Sequence, residues 1–309
     1  MAPAMGFETK VGFATSNSGS PPADPTVILE TTNFDVKLSR NRVRTDGIRG
    51  VRSVSGHRMR PSARFVSGGF NMQPTAVELA NLFPWIYGTA GTGSGTVTYA
   101  LADTALLSKD VFSRMDGKGW FFRECVVQRA TFSSQQGQPL GLRLDLLGKD
   151  RDDPPATYSW PALAIDYDDL PFMHYEAVLT LGGTTYQFRS ATLTIDNAPA
   201  ADRFLNSVTP TDFPTGDRII TLTVDQPWGG NSALLNTLRD ADVAGTLVYT
   251  LSSGVVLTFT FPYLVPPQLD DPTVQGREEI FFPYTLQACS DVSGGSVVKE
   301  LSTTIYTPA

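Results

Sequence analysis

An internal repetition of strand and helix patterns constrains the fold of this 309-residue chain more than any other sequence feature. Residues 95–101 and 245–251 both follow the pattern G-T-[VL]-x-Y-x-L, in which apolar and polar positions alternate as they do in a strand. Around each copy the segments follow one order: strand, long loop, strand, helix, strand and a pair of strands. We therefore interpret the chain as an internal duplication.

The composition is typical of an all-β protein with short helices. The chain has 27 glycines and 22 prolines, which favour turns, and 18% charged residues. We expect a duplicated β-sandwich or barrel in which each half carries one flanking helix and a long loop. The predicted organisation is an extended arm (1–26), a first β-domain (27–155), a connector (156–175) and a second β-domain (176–309).

Two segments carry helix signals. In residues 74–83, Thr75 is placed to cap the helix and Glu78 follows three residues later, while Pro84 is expected to end or kink it. The second predicted helix, residues 232–238, would be capped by Asn231 or Ser232. The two helices occupy equivalent positions in the predicted halves.

A long cationic loop is predicted between a strand at residues 34–38 and a second strand at 65–72. The loop contains Asp46 as its single acid and eight arginines: Arg40, Arg42, Arg44, Arg49, Arg52, Arg58, Arg60 and Arg64. It thus takes eight of the 24 basic residues and one of the 31 acidic ones, which leaves 16 basic and 30 acidic residues elsewhere in a chain of net charge −7.

Three interpretations of this arginine segment are open: a solvated loop, a nucleic-acid contact, or a contact with an acidic face of another copy. The acidic remainder of the chain opposes general nucleic-acid binding, and the loop has one aromatic residue at its edge for base stacking. A polarised charge distribution favours head-to-tail stacking of copies. The eight arginines are accordingly the candidate contact residues.

No catalytic or cofactor motif stands out in the sequence. The two histidines lack zinc-ligand spacing, there is no G-x-S-x-G motif, and the acidic clusters do not follow a calcium-loop pattern. We predict a protein that is not an enzyme and needs no cofactor or metal. Cys125 and Cys289 lie far apart in apparent strands, which favours buried free thiols. No signal peptide and no apolar run of about 20 residues is found, so synthesis in the cytoplasm is expected.

The order of several short motifs resembles that of the tail tube (major tail) proteins of bacteriophages with long, non-contractile tails. These motifs are Pro-Pro-x-x-Pro-Thr-x-Ile-Leu (21–29), Val-Ser-Gly-Gly-Phe (66–70), Leu-Phe-Pro-x-Ile (82–86), Glu-Cys-Val-Val (124–127), Gly-x-Pro-Leu (137–140), Leu-Asp-Leu-Leu-Gly-Lys (144–149) and Ser-Ala-Thr-Leu-Thr-Ile-Asp-Asn (190–197). The resemblance extends over nearly the whole chain.

This resemblance implies a virion protein that assembles into rings, which stack into a hollow tube around the tape measure protein. Tail terminator and distal tail proteins would meet the tube ends, and phage DNA would pass through without specific binding along a typically acidic lumen. Two units per chain imply a trimeric, pseudo-sixfold ring. The alternatives are a hexamer with a decorating domain, a terminator or minor tail protein of the same fold, and a carbohydrate-binding β-sandwich.

Overall fold

The structure is a computed structural model of the full chain. It describes residues 9–15, 24–44, 59–103, 105–115, 118–152, 156–161, 170–228, 232–269, 271, 279–293 and 296–307. The statements below refer to these residues.

The described chain consists mainly of antiparallel strands, with two α-helices and one short 3-10 turn (His174–Glu176). The strands of the first part are β1 (Lys10–Thr15), β2 (Val27–Leu29), β3 (Thr31–Phe34), β4 (Lys37–Arg44), β5 (Met59–Met72), β6 (Thr96–Ala100), β7 (Lys109–Met115), β8 (Lys118–Gln135), β9 (Gly141–Gly148) and β10 (Asp150–Arg151). Those of the second part are β11 (Ala177–Leu181), β12 (Thr184–Tyr186), β13 (Ser190–Asp196), β14 (Ile219–Pro227), β15 (Val243–Thr250), β16 (Val256–Val265), β17 (Phe281–Cys289), β18 (Asp291–Ser293), β19 (Ser296–Val298) and β20 (Ser302–Tyr306). The helices are α1 (Ala76–Tyr87) and α2 (Ser232–Asp240).

The same order of strand pairing occurs twice in the main sheet. In the first part the order is β4–β5–β9–β8, and in the second it is β13–β14–β17–β16. The two groups are joined because β13 pairs with β8 along its whole length, from Ser190 opposite Gln135 to Asp196 opposite Arg129. The all-β prediction is confirmed, and the pairing order is what a duplication of the four-strand unit predicts. The division into two domains stays a prediction.

The sheet curls so that its two parts share one apolar core. β13 and β14 alternate strictly between buried and half-buried or exposed residues, which gives the sheet one buried and one polar face. On the buried side, Phe132 of β8 and Phe259 of β16 have ring centroids 5.2 Å apart, and Phe83 of α1 contacts both rings. Helix α1 thus packs inside the curl and not on the polar face.

The N-terminus of α1 follows the sequence prediction, whereas its C-terminal part does not. Thr75 and Glu78 form the expected capping box, but the helix continues through Pro84 to Tyr87 and ends at Gly88, which has φ 81°. A proline leaves the carbonyl of the residue four positions earlier without its helical donor. Here the Tyr99 hydroxyl donates to that carbonyl, Ala80 O, at 3.5 Å. The expected end of the helix at Pro84 is therefore wrong, whereas the alternative of a kink there stays a prediction.

Several strands differ from the sequence prediction. Within the predicted N-terminal arm, β1 pairs with β2 and β7, and it buries Val11 and Phe13. The strands β7 and β20 were not predicted, and β20 pairs with β6 and β16. The partners of β20 lie far away in the sequence, whereas β7 forms a hairpin with the adjacent β8 and pairs on its other side with the distant β1. For short segments of this kind the local pattern alone is a weak signal.

The cysteines carry free thiols, as predicted: Cys125 is buried and Cys289 is half-buried. Burial raises the pKa of the Cys125 thiol far above its ordinary value, which keeps it protonated. Trp85 of α1 donates its indole N–H to the Cys125 carbonyl at 3.0 Å. This bond ties the helix to β8.

Lys109 links β7 to α1 and to the N-terminal strand β1. Its Nζ lies 3.9 Å from the centroid of the Phe13 ring and donates to the carbonyl of Asn81 at 3.2 Å. Burial lowers the pKa of Lys109 to about 8. Lys109 therefore connects β1 to the core, although burial destabilises the charged form of its ammonium group.

Candidate assembly and channel surfaces

The polar face of the central sheet presents rows of hydroxyl and amide side chains, and we call it the hydroxyl face. It is formed by β5, β9, β8, β13, β14 and β17, and its rows follow from the strand registers. One row contains Ser133, Thr192, Thr223 and Thr285, and the next contains Asn71, Arg143, Thr131, Thr194, Thr221 and Gln287. Thr223 and Thr285 hydrogen-bond each other at 3.0 Å. Small β-branched residues suit an exposed strand surface.

The arginines on the hydroxyl face are each paired with aspartates of the same face. Arg129 donates to Asp196 at 2.6 and 3.1 Å, and in the sheet register it lies between Asp196 and Asp145. The pKa of Arg129 is raised, first by its hydrogen bonds to Asp196 and then by the negative charge of that carboxylate. This row therefore alternates carboxylate, guanidinium and carboxylate across three strands.

Arg143 uses all three of its guanidinium nitrogens. Its Nε donates to Asp145 at 2.8 Å, Nη1 to the Asn71 amide oxygen at 3.2 Å, and Nη2 to Asp35 at 3.4 Å. At the other end of the face, Arg189 donates through Nε to Asp225 at 2.8 Å. These pairs neutralise the cations without removing them from the surface.

The arginine segment forms an extended hairpin where a loop was predicted. β4 continues to Arg44, β5 already begins at Met59, and Arg40 lies directly opposite Arg64 in the register. Like charges opposite each other destabilise a strand pair, and the hairpin end is exposed, with Val43 55% and Met59 46% accessible. The structure places Arg40, Arg42, Arg44, Arg60 and Arg64 on the hairpin, whereas Arg49, Arg52 and Arg58 lie outside the described residues.

The base of this arginine hairpin contacts the equivalent loop of the second part. Arg64 donates its backbone N–H to Val208 O at 2.7 Å, and its side chain pairs with Asp150 at 2.7 Å. The second loop, residues 197–218, has its own exposed ion pair, Arg203 with Asp212 at 2.9 Å. Arg64 is thus tied to its own subunit, while the described hairpin continues from Val66, the last residue of β5 that pairs with β9, to Arg44 opposite Met59.

A polar cavity of about 210 Å³ lies where the second loop meets residues 102, 103, 105 and 106. Its wall includes Arg218, which donates to Ala102 O at 2.6 Å and to the Asn197 amide oxygen at 3.2 Å. Asp103, Asp217 and Glu300 also line it. Burial lowers the pKa of Arg218, although the charges of Glu300 and Asp103 act in the opposite direction. The internal bonds of Arg218 serve to anchor the second loop.

Sequence reasoning identified the arginine hairpin but missed the hydroxyl face. A signal was present, because threonine and serine occupy alternate positions in residues 131–133, 190–194 and 221–223. Their assembly into common rows depends on strand register, which local sequence does not specify. Among the described residues, no group of three or more histidine, cysteine, aspartate or glutamate side chains is arranged to hold a metal ion, and no helix is long and apolar enough to span a membrane.

Comparison with protein families identifies the kind of protein that carries these surfaces. The sequence model described as "Phage tail tube protein" matches residues 4–288, which is nearly the whole chain. The chain therefore belongs to the phage tail tube protein family. It is thus a structural component of the virion tail, of a family that self-assembles into a tube. No curated protein matches the chain in a sequence search.

Proposed function

We propose that this protein is a tail tube subunit whose copies close into rings, and that the rings stack into the conduit for phage DNA. The doubled pairing order β4–β5–β9–β8 and β13–β14–β17–β16, joined at β8–β13, is the observation that supports this proposal most. Each chain brings two equivalent four-strand units, already connected by the kind of strand pairing that a ring requires. Three chains then make a pseudo-sixfold ring.

The ends of the doubled sheet support closure between copies. At one end, β4 pairs with β5 alone among the described strands. At the other end, β17 pairs with β16 through three residues, Gln287, Ala288 and Cys289, whereas β9 in the first unit pairs with β8 along nearly its whole length. An unpaired strand edge is a ready site for another chain. Repeating the β8–β13 junction between copies would place the first unit of one subunit beside the second unit of the next.

In this arrangement the hydroxyl face lines the channel, with DNA and the tape measure protein as its contents. The opposite face of the sheet is filled by the apolar core and α1, so the hydroxyl face is the side left for solvent. The arginine hairpin, which extends from the edge strand, makes the contact with the neighbouring ring. Terminator and distal tail proteins meet the ends of the finished tube.

Electron microscopy of the purified protein tests the assembly, and native mass spectrometry tests its symmetry. With a chain mass of 33.5 kDa, a ring of three has a mass of about 100 kDa and a ring of six about 200 kDa. We expect rings or tubes whose building block has the smaller mass. A monomer that never assembles would contradict the tube proposal, and a hexameric ring would contradict the symmetry alone.

The role of the arginine segment is tested by replacing Arg49, Arg52, Arg58 and Arg60 with serine. We expect rings that no longer stack, or tubes that dissociate at lower salt, because the contact is electrostatic and screened. Arg203→Ser is the control, since this arginine lies in the equivalent loop of the second part and pairs within its own subunit. Tubes of unchanged salt stability in the serine variant would show that the hairpin does not join rings.

A tail terminator or minor tail protein of the same family is the second candidate. It is distinguished by abundance in the virion, because a tube subunit is present in many copies along the tail and a terminator in few. Quantitative mass spectrometry of purified particles measures this directly.

A further inference from the structure

We propose that the aspartates of the hydroxyl face act as a charge mask: they pair with the arginines of that face so that a polyanion moving along it finds no free guanidinium. This inference rests on the proposed function, because it assumes that the face lines a channel. The polyanion is identified by its chemistry, as a nucleic acid backbone.

Opposite charges lie next to each other in the register of neighbouring strands. Arg129 is the central member of a row in which Asp145 and Asp196 occupy the two neighbouring positions. Two nitrogens of the Arg129 guanidinium, Nε and Nη2, donate hydrogen bonds to the same oxygen of Asp196, Oδ2. Such a pair presents a dipole to the solvent where a lone arginine would present a full positive charge.

Arginine–aspartate pairs also occur at two other places on the face. Arg143 is held by Asp145, Asp35 and Asn71, and Arg189 is held by Asp225. The Arg189 guanidinium also lies over the Phe281 ring, with its Cζ 3.8 Å from the ring centroid, which leaves less of the guanidinium accessible. Lys37 lies on this side as well, opposite Ser67 on the edge strand, at the boundary of the face rather than within it.

Without their aspartate partners, these arginines would strengthen the binding of DNA to the face. A protein cation that contacts a phosphate releases condensed counterions, and each such contact adds about 0.9 to the slope of binding against salt concentration. Repeated around every ring, unmasked arginines would retain DNA along the whole tube. The threonine and serine side chains between the ion pairs carry no charge and offer single, replaceable hydrogen bonds. The face is therefore nearly neutral, in contrast to the acidic lumen that the family resemblance implies.

The test uses the unassembled full-length chain and a short DNA duplex, followed by fluorescence anisotropy at several salt concentrations. The variant D196N/D225N keeps the shape of both side chains and removes their charge. We expect it to bind the duplex about tenfold more tightly than the wild type at low salt, with a salt slope about 2 units steeper for two unmasked arginines. The triple variant R129Q/D196N/D225N should lose about half of that added slope.

Asp212→Asn is the matched control, because it removes the carboxylate partner of Arg203 on a different surface. Asp212→Asn removes one negative charge, as does each of the two substitutions in D196N/D225N. We expect it to bind the DNA duplex with wild-type affinity. Circular dichroism of each variant verifies that the fold is retained. The charge-mask proposal would be overturned if D196N/D225N bound the DNA duplex with wild-type affinity. It would also be overturned if D212N gained as much affinity as D196N/D225N.

Electron microscopy of the same preparations separates this inference from the proposed function. Wild-type tubes together with no effect of D196N/D225N on DNA binding would overturn the mask and leave the tube proposal intact. The expected DNA binding without any wild-type tubes would overturn the tube proposal and support the mask as a property of the face.

Discussion

The buried side chain of Asn197 connects the two parts of the chain by hydrogen bonds. Its replacement tests how much these bonds contribute to the free energy of unfolding. Asn197 follows β13 and is 2% exposed. Its side-chain amide donates to Ile86 O at 3.1 Å and Val127 O at 3.2 Å, and its side-chain oxygen accepts from Arg218 at 3.2 Å. Ile86 O belongs to the last turn of α1, where carbonyls lack intrahelical donors. One side chain thus joins a helix, a strand and the second loop.

We expect Asn197→Ala to lower the free energy of unfolding by about 2–4 kcal/mol, since two carbonyls lose a donor and each buried unsatisfied group costs about 1–3 kcal/mol. The value should fall in the lower part of this range if water enters from the polar cavity that Asn197 lines. Urea unfolding of the unassembled chain measures the change, with fluorescence and circular dichroism transitions required to coincide.

Asn81→Ala is the matched control, because this asparagine donates a single bond to Val77 O within α1 at the surface. Its cost should stay within about 0.5 kcal/mol. If Asn197→Ala also stayed within about 0.5 kcal/mol of the wild type, or if the control lost as much stability, the reasoning about buried carbonyls would be refuted.

Two further changes test the packing of α1 and β1. Trp85→Phe keeps a large ring in a fully buried site but removes the bond to the Cys125 carbonyl, so we expect a loss of about 1–3 kcal/mol in the same urea assay; unchanged stability would show that the bond contributes nothing. Lys109 has a folded-state pKa of about 8 against 10.5 in the unfolded chain, so the unfolded chain binds more protons between these values and stability should rise with pH across this window. Lys109→Met should lack that rise in melting temperature, and an identical pH dependence in both proteins would contradict the burial argument.

The arginine segment shows how far local sequence reasoning could go. The opposition between its charge and that of the remaining chain is a property of composition, so the candidate contact could be located from the sequence. Whether residues such as Arg40 lie in a loop or a strand depends on the partner strand, because Arg40 pairs with Arg64 despite the like charges. The sequence therefore located the candidate contact segment but misjudged its form, and its role as a contact stays a prediction.

The sequence by itself determined the all-β class, most of the strands, the two helices and the repeated order of elements, because alternation, capping residues and turn residues act over a few neighbouring positions. The tertiary structure alone decided that β8 pairs with β13, that α1 continues through Pro84, and that Arg129 meets Asp196 across 67 positions of sequence. The physical reason is that strand partners and carbonyl acceptors come from distant segments, whose approach is decided by the burial of the common core. The hydroxyl face exists only once that register is set.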